Sequence, residues 1–139
     1  MLRDLSNDVK ISRAISPVSV ADNTAAVSQI IDTSGYNTLM FAILLGSIAD
    51  ADATFAVTME HGDDSGLSDA ASVPAAMLNG TTTLAGFQFD SDNATRKIGY
   101  VGDKRYVRMT ITPSNNASAA LLAACAIQSM ARVAPIAQP

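Results

Sequence analysis

Apolar and polar residues alternate along much of this chain, and this two-residue period constrains the fold more than any other feature. Such alternation places one face of a β-strand in a core and the other in solvent. The clearest apolar positions are Phe55, Val57 and Met59 in residues 54–60, and Val107, Met109 and Ile111 in residues 105–112. No long amphipathic helix is visible, and short strands joined by turns predict an all-β, single-domain antiparallel β-sandwich or jelly roll.

Residues 38–45 are apolar on both faces of the predicted strand, with leucine, phenylalanine and isoleucine on one side and Met40, Ala42 and Leu44 on the other. A strand of this kind is either central and covered on both sides, or exposes one face that meets another subunit. Both alternatives stay open at the level of the sequence.

Other segments are shorter or more ambiguous. Residues 27–31 predict a short strand, and residues 113–116 a turn. Alanines in residues 121–127 favour a helix, but the preceding strand and tight turn favour the return strand of a hairpin, which we predict. Residues 62–92 form a long connection, in which residues 73–78 predict a short strand or one helical turn.

The two ends are predicted to be extended arms. Residues 1–16 have few consecutive apolar positions, and residues 133–139 contain two prolines, which disfavour a helix. Pro17 interrupts an apolar pattern over residues 9–20 in a way that suits an edge strand or an arm. The predicted organisation is therefore an N-terminal arm (1–16), a β-sandwich domain (17–132) and a C-terminal tail (133–139).

Composition excludes several classes of function. The chain has 139 residues, a length that predicts one domain. Its net charge of −4 argues against nucleic acid as the main ligand, because phosphate contacts require an excess of clustered Lys and Arg. The longest apolar run, residues 117–127, is far shorter than the roughly 20 residues that span a bilayer. The N-terminal residues lack the apolar stretch of a signal peptide, so we expect synthesis in a cytoplasm and no membrane partner.

Catalytic equipment is sparse. The chain has one His and one Cys. His61, at the end of a predicted strand, is expected to be a solvated turn histidine, and Cys125, with apolar neighbours, a small core residue. We find no nucleophile motif around any serine, so we expect no enzymatic activity.

Two acidic loops offer oxygen atoms that a calcium ion could use, but neither matches a spaced calcium-binding pattern. These residues are Asp63, Asp64 and Asp69 in one loop, and Asp90, Asp92 and Asn93 in the other. Solvated acidic loops are the favoured interpretation, and we predict no metal and no cofactor.

Charges are clustered along the chain. Six of the thirteen acidic residues fall in residues 50–69, and five of the nine basic residues fall in residues 96–108. Either these are ordinary solvated loops, or they form opposed faces that pair between subunits. The predicted interface residues are Arg96, Lys97, Lys104, Arg105, Arg108, Asp63, Asp64, Pro135 and Ile136.

Four segments carry a resemblance to a known family. Residues 31–41 resemble a D-T-x-G-Y-x-x-L-x-F opening, and residues 54–64 an F-x-x-x-x-E-x-G-D-D stretch. Residues 97–108 are similar to a K-I-G-Y-V-G-x-K-R-Y-V-R signature, and residues 132–135 to an R-x-A-P ending. Gly99 and Gly102, within the third segment, predict a sharp turn around Tyr100.

Together these segments resemble small, mostly uncharacterised structural proteins encoded near the major capsid protein of tailed bacteriophages. The resemblance implies a β-rich virion component without catalytic residues, which decorates or cements the capsid surface. Its implied partners are the major capsid protein lattice and further copies of the chain, with a homotrimer favoured by the three-fold positions of icosahedral shells. A head–tail joining or tail component is one alternative. A carbohydrate-binding adhesion module is the other, because the strand beginning R-Y-V-R also resembles jelly-roll modules of that class.

Overall fold

A computed structural model describes residues 4–137, and in it two antiparallel sheets pack face to face. The strands are β1 (Val9–Val20), β2 (Ala26–Val27), β3 (Ile31–Asp32), β4 (Tyr36–Ile48), β5 (Thr54–Gly62), β6 (Ala71–Ser72), β7 (Leu78–Asn79), β8 (Phe87–Gln88), β9 (Thr95–Tyr100), β10 (Tyr106–Ser114) and β11 (Ala120–Ala131). The predicted β-sandwich is confirmed.

Sheet A contains five strands in the order β1-β11-β4-β9-β7. In sheet B, the short strands β2 and β3 pair with one edge of β10, β5 pairs with the other edge, and β6 and β8 pair with β5. Along the chain, β4, β5, β9, β10 and β11 alternate between the two sheets.

The hairpin predicted between the strands at 105–112 and 121–127 is therefore wrong, although the prediction of a strand rather than a helix is confirmed by β11. Strand β10 lies in sheet B and β11 in sheet A. Their connection is tied to the end of β1, because the side-chain Nδ2 of Asn116 donates hydrogen bonds to the carbonyl oxygens of Val20 and Asp22, each at 3.0 Å. That anchor directs the chain across the sandwich instead of back along β10.

The core lies between the two sheets and follows the alternation in the sequence. Phe55, Val57 and Met59 of β5 are buried, as are the three predicted positions of β10. Sheet A contributes Phe41 and Ile43 from β4, which are both fully buried. Burying each side chain of this size stabilises a fold by about 1.5–3 kcal/mol.

The turn predicted at residues 113–116 begins later than expected. Strand β10 continues to Ser114, and the chain bends at Asn115, which has a positive φ of 56°. Pro113 is tolerated in the strand because β2 pairs only with Thr110 and Ile111 on that edge.

The predicted arms are largely part of the domain. Strand β1 begins at Val9 and pairs with β11, and Ala14 and Ile15 are buried in the core. At the other end, the Ile136 amide donates to the carbonyl oxygen of Asn7 at 2.9 Å, and the Ile136 side chain is only 6% exposed. The arm prediction is corrected for residues 9–16 and for Ile136, because apolar burial and pairing hold both to the sandwich. Residues 1–3 and 138–139 of the predicted arms lie outside the described residues.

The remaining segments contain little regular structure. The predicted strand at 27–31 is divided into β2 and β3, and the region 73–78 holds a 3₁₀ helix, Ala75–Met77, followed by β7. The helix α1 (Thr82–Ala85) is capped by Thr81, whose hydroxyl accepts a hydrogen bond from the Leu84 amide. Within residues 4–137, no helix is long and apolar enough to cross a membrane.

Replacing Ile136 with alanine tests whether the C-terminal segment belongs to the fold. Because the side chain is buried, we expect Ile136→Ala to lower the free energy of unfolding by about 2 kcal/mol. Val133→Ala is the matched control, since Val133 is 82% exposed. Thermal and urea unfolding measure both variants. Equal, negligible effects of the two substitutions would show that the segment is an independent arm.

Candidate functional site

The outer face of sheet A is the most distinctive surface of the protein. Strand pairing places residues of four strands in rows, because paired residues of an antiparallel sheet point to the same side. The rows are Val9, Ser129 and Thr38; Ile11, Ile127, Met40 and Gly99; Arg13, Cys125, Ala42 and Lys97; and Ala123, Leu44 and Thr95. The structure thus decides between the alternatives for residues 38–45: β4 is central, its inner face is buried, and its outer face is partly exposed.

This outer face is apolar and partly exposed. Ile11 is 54% exposed, Leu44 53% and Leu121 44%. Sheet B has a different outer face, with cross-strand neighbours such as Thr58 and Thr110. Single exposed apolar residues are ordinary, but here several lie in adjacent rows and form an apolar patch.

A groove of about 1000 Å³ runs along this face. Its floor includes Met40, Ala42 and Ile127, and its far wall is formed by residues 79–84. The polar residues along the groove are Thr38, Asn79, Thr95, Arg96, Lys97 and Ser129. At one end, the hydroxyls of Thr38 and Ser129 are hydrogen-bonded at 2.6 Å. The groove therefore combines an apolar floor with hydrogen-bonding groups along its edges.

Among the described residues that line the groove, none is aromatic. The rings of Phe41, Phe55 and Phe87 are buried in the core, where the last two stack with centroids 4.6 Å apart. The groove consequently offers no ring on which a planar or sugar-like ligand could stack.

The two charged clusters, for which opposed faces and solvated loops were the alternatives, are joined by two ion pairs inside the chain. Strands β5 and β10 are neighbours, and Arg108 on β10 donates to Glu60 on β5 at 2.6 Å. Lys104 donates to Asp63 at 2.7 Å. Pairing of the two strands explains the arrangement, because it brings the acidic and basic segments to the same end of sheet B.

Arg105 is engaged in the same way, through two hydrogen bonds of 2.9 Å to the carboxylate of Asp32. Lys104, Arg105 and Arg108 therefore have acidic partners within the chain and do not form a separate basic face. Exposed ion pairs of this kind contribute little to stability.

The other predicted interface residues are dispersed. Arg96 donates to the carbonyl oxygens of Gly86 and Thr95 and to the hydroxyl of Ser91. Ile136 is buried and cannot contact a partner without unfolding, whereas Pro135 and Lys97 are exposed. Of these residues, Arg96 and Lys97 line the groove.

Sequence reasoning did not place Lys97 beside Ala42 and Cys125. That proximity depends on the register of β9 against β4 and of β4 against β11. The sequence signal for this site was the set of apolar residues at the outward positions of residues 38–45. It identified the central strand of the site but not the strands that lie beside it.

The first acidic loop uses its carboxylates to hold its own backbone. Asp69 accepts hydrogen bonds from the amides of Asp63 and Asp64, and Asp64 accepts from those of Gly66 and Ser68. These bonds lower the pKa of both Asp64 and Asp69.

In the second loop, Asp92 accepts from the Ile48 amide at 2.9 Å. Within the described residues, no three His, Cys, Asp or Glu side chains are grouped so as to hold a metal.

His61 and Cys125 both differ from their expected environments. His61 is 7% exposed instead of solvated, and its Nδ1 lies 2.9 Å from the Tyr100 hydroxyl, which links sheet B to sheet A. Burial raises the pKa of Tyr100. Cys125 is half-buried on the outer face of sheet A instead of lying in the core.

Glycine is required at position 102 by a close contact, and not by the sharp turn that was predicted. A Cβ atom at Gly102 would lie 2.5 Å from the ring of Tyr100, so only glycine fits where the loop crosses that ring. The Tyr100 hydroxyl also accepts from the Lys104 amide at 2.9 Å and donates to the Lys104 carbonyl. Gly99, by contrast, lies within β9.

No family model and no curated protein matches this chain. Among solved structures, it is similar to the CBM22-1 xylan-binding domain from Paenibacillus barcinonensis, at 12% identity and a TM-score of 0.46, over 94% of this chain and 87% of that one. It is also similar to a C-terminal family 22 carbohydrate-binding module of Clostridium thermocellum, at 12% identity and a TM-score of 0.46, over 90% and 85% of the two chains. A third match is the CBM22-1–GH10 part of a Clostridium thermocellum xylanase, with 11% identity and a TM-score of 0.47, over 94% of this chain and 26% of that one.

The carboxylates of the charged end of sheet B predict acid sensitivity. The pKa of Asp32 is lowered by hydrogen bonding to Arg105, and that of Asp69 by the amides of Asp63 and Asp64. A lowered folded-state pKa contributes stability that is present above the unfolded-state value near 3.8 and is lost as pH falls through the folded-state value. We therefore expect Tm to be steady near neutral pH and to fall below about pH 4.

Asp69→Asn should lower Tm at pH 7 and flatten this acid decline, because the amide carries no titrating charge. Ser65→Ala, an exposed neutral change in the same loop, is the control. A pH profile of Asp69→Asn parallel to that of the unsubstituted protein would contradict the assignment.

Proposed function

We propose that this chain is a non-enzymatic structural protein of a phage virion that binds other protein subunits through the outer face of sheet A. Decoration of the capsid is the favoured role, and a head–tail joining or tail position is the alternative. The observation that carries the proposal is the apolar outer face of β4 and its neighbours, with Leu44 and Ile11 about half exposed.

The energetics of such a face favour association with protein. Apolar surface removed from water stabilises a complex by about 25 cal/mol per Å², so an apolar face spanning several strands binds strongly once it is covered. A subunit that binds only an assembled shell shifts the equilibrium toward that shell. Contacts repeated over a lattice then add through avidity.

The phage assignment is supported by the resemblance of residues 97–108 and the three shorter segments. The longest of these segments has a structural basis in this fold, because Gly102 and Lys104 close a loop over Tyr100 and Arg105 pairs with Asp32. It supplies structural contacts and no reactive group, in agreement with a virion component. A homotrimer remains a prediction, which light scattering at micromolar concentration addresses.

Carbohydrate binding is the second candidate. The observation that favours it is the row of hydroxyl, amide and ammonium groups along the groove, including Thr95, Asn79 and Lys97. The solved structures named above also belong to carbohydrate-binding modules, but their TM-scores below 0.5 do not decide function. We rank this candidate second because the described groove lining contains no aromatic ring.

An arginine at the centre of the face tests the first candidate. Ala42 is half-buried on the outer face of the central strand, so Ala42→Arg should leave the core intact and block close contact with a partner. We expect a loss of at least tenfold in cosedimentation with empty heads of the encoding phage and a Tm within a few degrees of the unsubstituted protein. Thr58→Arg, on the outer face of β5, is the control. Equal binding by the two variants would exclude this face as the interface.

Copy number in purified virions separates the roles. Hundreds of copies per particle by quantitative mass spectrometry indicate capsid decoration, and a dozen or fewer indicate a joining or tail ring. Absence from virions, together with retention on insoluble xylan that Ala42→Arg abolishes, would replace the first candidate with the second.

A further inference from the structure

Lys97 stands out among the charged residues of the groove. It is exposed and forms no ion pair with any residue in the described part of the chain. Arg96, the other charged residue in the lining, is occupied by the carbonyl oxygens of Gly86 and Thr95. The groove therefore carries two positive charges, and of these the ammonium group of Lys97 is the exposed one that has no hydrogen-bond partner among the described residues.

The neighbours of Lys97 on the face define what can lie against it. Its row continues through Ala42 and Cys125 to Arg13, so both ends of the row are basic and its centre is small and apolar. None of the residues assigned to the outer face is acidic, although the whole chain has a net charge of −4. Two copies placed face to face would bring bases against bases, which costs free energy and disfavours this chain as its own occupant.

We infer that the groove binds an extended segment of another protein that carries a carboxylate opposite Lys97 and apolar side chains opposite Met40 and Ala42. The inference rests on the proposed function, because it specifies the partner chemistry of the same face. A carboxylate is favoured because it supplies the missing counter-charge, and a hydrogen bond between charged groups is stronger than one between neutral groups.

An extended backbone fits the spacing of the groove. Thr38, Met40 and Ala42, which line the groove, are two residues apart along β4, a repeat of about 6.6–6.8 Å. The side chains on one face of an extended segment have the same repeat, so they can settle between these rows. The free amides and carbonyls of the segment would find hydrogen-bonding groups at Asn79 and Thr95 along the groove.

The test is selection from a random seven-residue peptide library displayed on filamentous phage, with the complete protein as bait. We expect the unsubstituted protein to enrich peptides with alternate apolar residues and one Asp or Glu. Lys97→Glu should enrich Lys or Arg at the same offset from the apolar positions. Arg132→Glu, an exposed change outside the groove lining, is the control and should retain the acidic preference.

Binding of the best acidic peptide then measures the contribution of Lys97. We expect Lys97→Met to weaken binding by about two- to fivefold in fluorescence anisotropy, and the difference to shrink at high salt, since the pair is exposed. Replacing the peptide's Glu with Gln should cause a similar loss in the unsubstituted protein and almost none in Lys97→Met.

The outcomes separate this inference from the proposed function. Apolar peptides enriched without any charge preference, and blocked by Ala42→Arg, would overturn the role of Lys97 while the protein-binding face stands. No enrichment by the unsubstituted protein would overturn the inference. If cosedimentation with heads is then also unaffected by Ala42→Arg, the proposed function fails as well.

Discussion

The packing of the two inner sheet faces is the interaction on which the rest of this structure depends. The six strands of six or more residues are never paired with the next such strand in the sequence. Neither sheet can therefore be assembled from consecutive hairpins, and each sheet is completed only when the chain has crossed the core several times. Apolar side chains such as Phe41 and Met109 hold the crossings together, because they are buried between strands that are distant in sequence. During folding, a chain dominated by such long-range pairings becomes stable only after many of its strand pairs have formed together.

Polar links between the sheets fix the ends of this sandwich. At one end, His61 of β5 meets Tyr100 of β9, and the Tyr100 hydroxyl also holds the loop that ends at Lys104. Gln128 of β11, which is 1% exposed, donates to the carbonyl oxygen of Asp32 in β3. Buried polar groups stabilise a fold only when they have partners, so each of these bonds constrains how the sheets sit on one another.

The alternation of residues 54–60 and 105–112 was sufficient to predict the strands and their buried faces, because a two-residue period depends only on local geometry. Partners were harder to predict. The pairing of Arg108 with Glu60, and of Arg105 with Asp32, depends on β10 lying between β5 and β3, which no local pattern encodes. The same limitation led to the expected hairpin between β10 and β11. Terminal residues such as Ile136 were assigned to arms because a single apolar residue between prolines gives no periodic signal.

The two outer faces show why the site follows from the fold. Both sheets bury one side in the same core, and a sheet with a single buried face normally presents polar residues on the other. Sheet B does so, with Thr58 beside Thr110. Sheet A does not: its central strand carries Met40 and Leu44 outward, although polar residues there would leave the core unchanged. Stability of the isolated domain gives no reason for this difference. The proposed function supplies one, because an apolar face lowers the free energy only when something covers it.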